Sequence, residues 1–230
     1  MTKHPCGCVT TPDPTWYATK SVKKCAHHVQ YRRDHPSGGQ VYYESLGSLV
    51  NGTFCPGKYL EELTGALGKL PPAPPGGGMA VEIGTGVSPY VSHLKSLGYS
   101  YVGFEPDPWA AQWMRDNHHV HMENRCFEEL EAAATGQAQL VLCAHAAEHM
   151  PDSPGALREM YRLLAPGRPL YLIVPDDTDL TNPDHLWFYT ADSLRYVLTR
   201  LGFEDVKIVM KKVVEHENFL YCVARKPNGN

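Results

Sequence analysis

Three groups of residues in this 230-residue chain have the types and spacing to do chemistry. The first is Glu82-Ile-Gly-Thr-Gly-Val-Ser-Pro89, with Glu105 standing 21 residues beyond Gly84. Glycines at 84 and 86 let the backbone turn tightly and let a ligand come close, and an acidic side chain at the tip of the following strand can accept both hydroxyls of a ribose. The second group is His145-Ala-Ala-Glu148-His149, with His185 further on. Imidazoles with an ordinary pKa of about 6.5 suit proton transfer, and His-x-x-Glu-His can equally place a divalent ion. A plainer reading makes Glu148 and His149 a hydrogen-bonded pair that shapes a loop. The third group is Cys6-Gly-Cys8 with Cys25-Ala-His27-His28. Cys6, Cys8, Cys25 and His28 form the Cys3His set that zinc accepts in a closed site. The single residue between Cys6 and Cys8 is shorter than the usual spacing, and Cys55 can replace one ligand. Unmetallated cysteines and redox thiols stand as alternatives.

Glu82 narrows the choice of ligand. A dinucleotide fingerprint has a third glycine, whereas here the run continues to Pro89. A carboxylate just before the turn would repel a pyrophosphate, which is drawn to the positive end of a bare helix. S-adenosylmethionine carries no phosphate and brings an ammonium and a sulfonium, so a carboxylate suits it. The competing reading is a generic strand-turn-helix glycine pair with a surface glutamate.

The elements around these residues alternate. Pro71-Pro-Ala-Pro-Pro-Gly-Gly-Gly78 cannot be helix or central strand. It divides an N-terminal part, 1–75, from a regular remainder, 76–230. Before it, apolar residues at 60, 63, 66, 67 and 70 have helical spacing. After it come strands at 80–83, 101–104, 138–144 and 169–174. Helices are expected to open at Ser88-Pro89, Asp107-Pro108, Ser153-Pro154 and Thr190. Apolar strands alternating with helices predict a doubly wound α/β fold with a mostly parallel sheet. Residues 206–214 and 219–224 add an antiparallel C-terminal strand pair, and the first 75 residues form a small N-terminal extension.

Composition excludes several classes. A 43% hydrophobic fraction with 20% charged residues is globular. No apolar run approaches the roughly 20 residues that span a bilayer, so no membrane partner is expected. The N-terminus shows no secretory pattern, which predicts a cytoplasmic, reducing setting where seven cysteines do not form a disulfide framework. A net charge of -4 weighs against nucleic acid, although Lys20 to Arg33 is locally basic. Oligomeric state is not legible.

Four motifs in order carry a resemblance: Val81-Glu-Ile-Gly-Thr-Gly86, Gly103-Phe-Glu-Pro-Asp107, Cys143-Ala-His-Ala-Ala-Glu-His-Met-Pro-Asp152 and Leu164-Ala-Pro-Gly167. Over roughly residues 78–225 the chain resembles the class I S-adenosylmethionine-dependent methyltransferases. It is most similar to the subgroup containing ubiquinone-biosynthesis O-methyltransferases and natural-product and sugar methyltransferases. His185-Leu-Trp-Phe-Tyr-Thr-Ala-Asp-Ser-Leu194 with Gly202-Phe203 resembles that subgroup too. The resemblance implies a seven-stranded sheet. It implies that Glu82, Gly84, Thr85 and Gly86 line the methionine and adenosyl side of the cofactor, with Glu105 on the ribose and Pro106 beside the adenine. His145 is then close to the methionine end. Relatives often place an acidic residue against the adenine amine; no Asp stands at the matching place, and backbone amides around Phe127 are the substitute. The function implied is methyl transfer to a hydroxyl or amine of a small molecule, with His145, His149 and His185 as candidate bases. A protein- or nucleic-acid-directed methyltransferase using the N-terminal module, and a non-catalytic cofactor-binding domain, are the alternatives.

Overall fold

Continuous apolar strands need cover on both faces, and the chain supplies it with helices from both sides. The computed structural model describes residues 56–125, 127, 135–176, 185–214 and 217–229, and the backbone of three short N-terminal strands. Those strands are β1 (Thr10–Thr11), β2 (Val22–Cys25) and β3 (Gln30–Arg32). Helix α1 (Pro56–Leu67) follows, then β4 (Gly78–Ile83), α2 (Val91–Ser96), β5 (Tyr99–Phe104), α3 (Pro108–His118) and β6 (His121–Glu123). The second half holds β7 (Ala138–Ala144), a 3-10 turn (Ala147–His149), α4 (Ser153–Leu163), β8 (Pro169–Pro175), β9 (Trp187–Phe188) and α5 (Ala191–Arg200). It closes with β10 (Glu204–Val214) and β11 (Glu217–Arg225).

The main sheet has seven strands in the order β10-β11-β8-β7-β4-β5-β6. Every neighbour from β8 to β6 is parallel, while β11 runs antiparallel to both β8 and β10. The expected seven-stranded, mostly parallel sheet with an antiparallel C-terminal pair is therefore what forms. Only β11 points against the rest.

Strand alternation divides the core in two. Val141 and Cys143 of β7 join Val81, Ile83, Leu172, Leu157, Met160, Leu194 and Leu198 on the face covered by α4 and α5. Leu140 and Leu142 join Leu63, Leu94, Met114 and Ile173 on the face covered by α1, α2 and α3. Helix α1 thus packs on the sheet although it precedes the proline-glycine segment. That segment is latched down as well: the Tyr99 hydroxyl donates to the carbonyls of Pro71 and Pro72, and Ala73 N donates to Leu97 O.

Helix starts follow the expected device with two displacements. Asp107 caps α3, accepting from Ala110 N, and Thr190 with Ser193 forms a capping box on α5. For α4 the cap is Asp152, which accepts from Gly155 N, one residue before the expected Ser153. The Ser153 hydroxyl is instead bonded by Tyr189. Helix α2 begins at Val91, two residues late; the Ser88 hydroxyl accepts from Tyr90 N and donates to Glu82.

A second, four-stranded antiparallel sheet has the order β1-β2-β3-β9. Gln30 pairs with Phe188 and Tyr31 with Trp187, so backbone from the N-terminal extension adds to a strand of the main unit. Trp187, Phe188 and Tyr189 are core residues. Among the described residues no helix is long and apolar enough to cross a membrane.

Leu157 is fully buried between α4 and the sheet. Leu157→Ala should lower stability by about 2–5 kcal/mol. Guanidinium unfolding checks this, with the midpoint shifted and the slope unchanged.

Candidate active site

The site is built at the C-terminal ends of the parallel strands, where open α/β sheets place their ligands. After β4 the chain turns through Gly84 (φ 65°) and Gly86 (φ 47°), left-handed backbone that glycine adopts without strain. Gly84 N and Thr85 N both donate to Phe104 O, which pins the turn on the end of β5. A Cβ at Gly84 would stand 2.3 Å from Ala146 Cβ. The turn therefore touches the segment after β7. Gly103, opposite Glu82 in register, is equally constrained, since a Cβ there would meet Met122 Sδ at 2.5 Å and Thr85 Cγ2 at 2.9 Å.

Glu105 is almost fully buried and joins two loops. Its Oε2 accepts from Gly86 N at 2.7 Å and its Oε1 from Asp107 N at 2.9 Å. Burial pushes its pKa up to about 7, against the pull of those two amides. Asn124 Nδ2 donates to the carbonyls of Glu105 and Pro106 and fixes the same corner. Phe127 is buried there with its ring edge-on to Phe104 at 5.6 Å.

Glu82 is also buried, and its Oε2 accepts from Ser88 Oγ and Tyr101 OH, both at 2.7 Å. Burial raises its pKa to about 7, the two hydroxyls oppose the rise, and Glu105 adds a smaller upward push. This carboxyl locks the turn from behind. Sequence reasoning passed over both Ser88 as its partner and Tyr101, although Tyr101 lies only two residues before Gly103 on the neighbouring strand.

The second half of the site follows β7. His145 takes left-handed backbone (φ 53°) with its amide bonded to Ile173 O. Its ring stands edge-on to Phe219 at 4.6 Å, and burial, helped by His149, lowers its pKa to about 4. Glu148 is 1% exposed. Its Oε1 is 3.9 Å from His145 Nδ1 and 4.0 Å from His149 Nε2, too far for hydrogen bonds. Burial pushes Glu148 up to about 8, so at neutral pH its contact with His145 is between uncharged groups and is not an ion pair. The rings of His149 and His185 pack edge-on at 4.9 Å. Leu186 N donates to Glu148 O, and Trp187 Nε1 donates to Met150 O, which hold the 185–187 segment against the 3-10 turn.

The fold therefore gathers all three candidate bases near Glu148: His149 and His185 meet face to edge, while His145 turns toward β11. The cofactor candidates Glu82, Gly84, Thr85, Gly86, Glu105, Pro106 and Phe127 line one corner. Of the N-terminal zinc candidates, Cys6, Cys8 and His28 lie outside the described residues. Cys25 ends β2, where its backbone pairs with Thr10.

The donor set fits S-adenosylmethionine. Glu105 uses one lone pair on each oxygen for a backbone amide and keeps another on each for a vicinal diol. The glycine turn leaves room for close approach, and the carboxyls of Glu82 and Glu105 match a cationic ligand. A seven-stranded α/β sheet with this corner has the donors to hold a nucleoside.

A family model described as "Methyltransferase domain" matches residues 57–208. The chain belongs to this family and is a methyltransferase. A search of curated proteins gives no match. Among solved structures, one similar chain is a SAM-dependent methyltransferase of Thermotoga maritima described as a possible histamine N-methyltransferase. It is 22% identical over 74% of this chain and 89% of that one, with a TM-score of 0.57. The Burkholderia thailandensis 1,6-didemethyltoxoflavin-N1-methyltransferase, solved with that compound and S-adenosylhomocysteine, is 15% identical. It covers 95% of this chain and 99% of that one at a TM-score of 0.58. The citrinin polyketide synthase CMeT domain is 14% identical over 66% of this chain at a TM-score of 0.57, and the chain spans about half of its length (47%). These likenesses show the fold.

Two outcomes follow from the corner. Glu105→Ala should weaken S-adenosylmethionine binding by tenfold or more, about 1.4 kcal/mol, in titration calorimetry. For Glu82, the folded pKa of about 7 lies above the ordinary 4.5, so the folded state keeps a proton that the unfolded chain has released. Its contribution is fully present below pH 4.5 and is lost as pH rises toward 7. Glu82→Gln removes this titration. Relative to the variant, wild type should lose on the order of 3 kcal/mol of stability between pH 5 and about pH 8. Parallel profiles in urea unfolding would contradict it.

Proposed function

We propose that the protein transfers the methyl group of S-adenosylmethionine to a hydroxyl oxygen of a small organic acceptor. The observation that carries this reading is the convergence of Glu148, His149 and His185 beside the cofactor turn. The donor brings an electrophilic methyl carbon on a cationic sulfur. A neutral amine attacks such a carbon without help, whereas a hydroxyl must give up its proton, and that needs polar groups placed at the acceptor. The resemblance of residues 185–194 to the O-methyltransferase subgroup supports the same choice.

Each part of the site has a task in this reading. Glu105 accepts from the ribose hydroxyls, and the backbone near Phe127 with Pro106 flanks the adenine. Gly84 and Gly86 admit the methionine end, and the Glu82 and Glu105 carboxyls favour its positive charge. His149 and His185 stand where the acceptor hydroxyl loses its proton, and the sheet ends hold the acceptor in line with the S–CH3 bond. The N-terminal extension closes the acceptor side; pairing of β3 with β9, two residues beyond His185, supports this.

A panel of phenols, alcohols and matching amines, assayed by S-adenosylhomocysteine release, tests the reading. Hydroxyl compounds should turn over and their amine counterparts should not; turnover of amines alone would overturn it. On an accepted hydroxyl compound, His185→Ala and His149→Ala should each lower kcat by about 100-fold or more. Donor affinity should be retained.

A further inference from the structure

We propose that Glu148, His149 and His185 form a divalent transition-metal site, with zinc-type chemistry, that holds the acceptor oxygen. The inference rests on the hydroxyl-directed reading above and gives that site a metal. One ligand atom from each of the three residues lies within 4.8 Å of the other two. They come from two distant segments, the 3-10 turn after β7 and the strand entry before β9, which Leu186 N and Trp187 Nε1 tie together. The fold therefore brings these donors to one point.

Glu148 provides an independent sign. Its side chain is nine-tenths buried or more, and Oε2 has no hydrogen-bond partner among the described residues. An orphaned carboxyl oxygen of this kind costs free energy that a bound cation recovers. Two imidazoles and one carboxylate are a donor set that zinc takes in catalytic sites, which leave one position open. Bonds of about 2.1 Å place tetrahedral ligands roughly 3.4 Å apart, so the three atoms need to close in by little more than an ångström. Ala146, two residues before Glu148, stands where a Cβ at Gly84 would have to go, which brings this segment against the cofactor turn.

In that position a hydroxyl acceptor releases its proton to water more readily. Its oxygen forms the new O–CH3 bond as the S–CH3 bond breaks, and the electron pair of the broken bond stays on sulfur. Atoms and charge balance: one proton is released and the sulfonium becomes a neutral thioether.

Equilibrium dialysis of the full chain against zinc chloride, read by elemental analysis, tests the site without donor or acceptor. Cys6→Ser/Cys8→Ser separates it from the N-terminal cysteines. We expect that double variant to keep one equivalent at the 148/149/185 site. In its background, His185→Ala and Glu148→Gln should each weaken zinc binding at least 100-fold, with near-ultraviolet circular dichroism and S-adenosylmethionine affinity unchanged. Should Glu148→Gln not fold, His185→Ala decides alone, alongside cobalt(II) spectra of the double variant, which must show nitrogen and oxygen ligation. Loss of all zinc in the cysteine variant, or undiminished binding in a folded His185→Ala protein, overturns the proposal. Zinc binding with turnover of amines alone would refute the hydroxyl reading and leave the metal site standing.

Discussion

One buried carboxyl group holds the donor corner together. Glu105 accepts from Gly86 N of the first turn and from Asp107 N of the second, so the loops after β4 and β5 are bonded to the same two oxygens. Hydrogen bonds to an ionised group are stronger than neutral ones, and here they offset the cost of taking a carboxylate out of water. The amides offset only part of that cost, so burial leaves the pKa raised to about 7. A ribose diol would tip it toward the carboxylate. Ligand and loop order are thus coupled through one side chain.

The same compromise recurs across the site. Glu82, Glu105 and Glu148 are all buried, and burial is the largest influence on each. Their partners differ: two hydroxyls for Glu82, two backbone amides for Glu105, and for Glu148 an Oε2 without a hydrogen-bond partner among the described residues. The apolar layers on both faces of the sheet make this burial unavoidable, because side chains at the strand ends stand against them. Stability from the packed strands offsets polar groups kept for binding.

Much of this was legible in the sequence because it is local. Strand runs, the Asp107-Pro108 cap and the glycine turn each depend on a few adjacent residues, and they form as read. Errors arose where a side chain had a distant competitor. Ser153 is a good cap by type, yet Tyr189 takes its hydroxyl and Asp152 caps the helix instead. β9 is two residues long, and its identity depends on β3, so no periodicity could reveal it. The histidines were recognisable by type, but the meeting of His149 with His185 depends on how two loops cross and not on spacing.

The position of β11 has a consequence for synthesis. It is made after β10, yet it lies between β8 and β10 in the sheet. As the chain leaves the ribosome, β10 has no edge to join until β11 arrives, so the sheet stays open on that side until then. Phe219 of β11 is also the ring that packs on His145. A nascent chain stopped before β11 therefore lacks both that edge and the ring that packs on His145. Every residue of the donor corner is made before either of these strands.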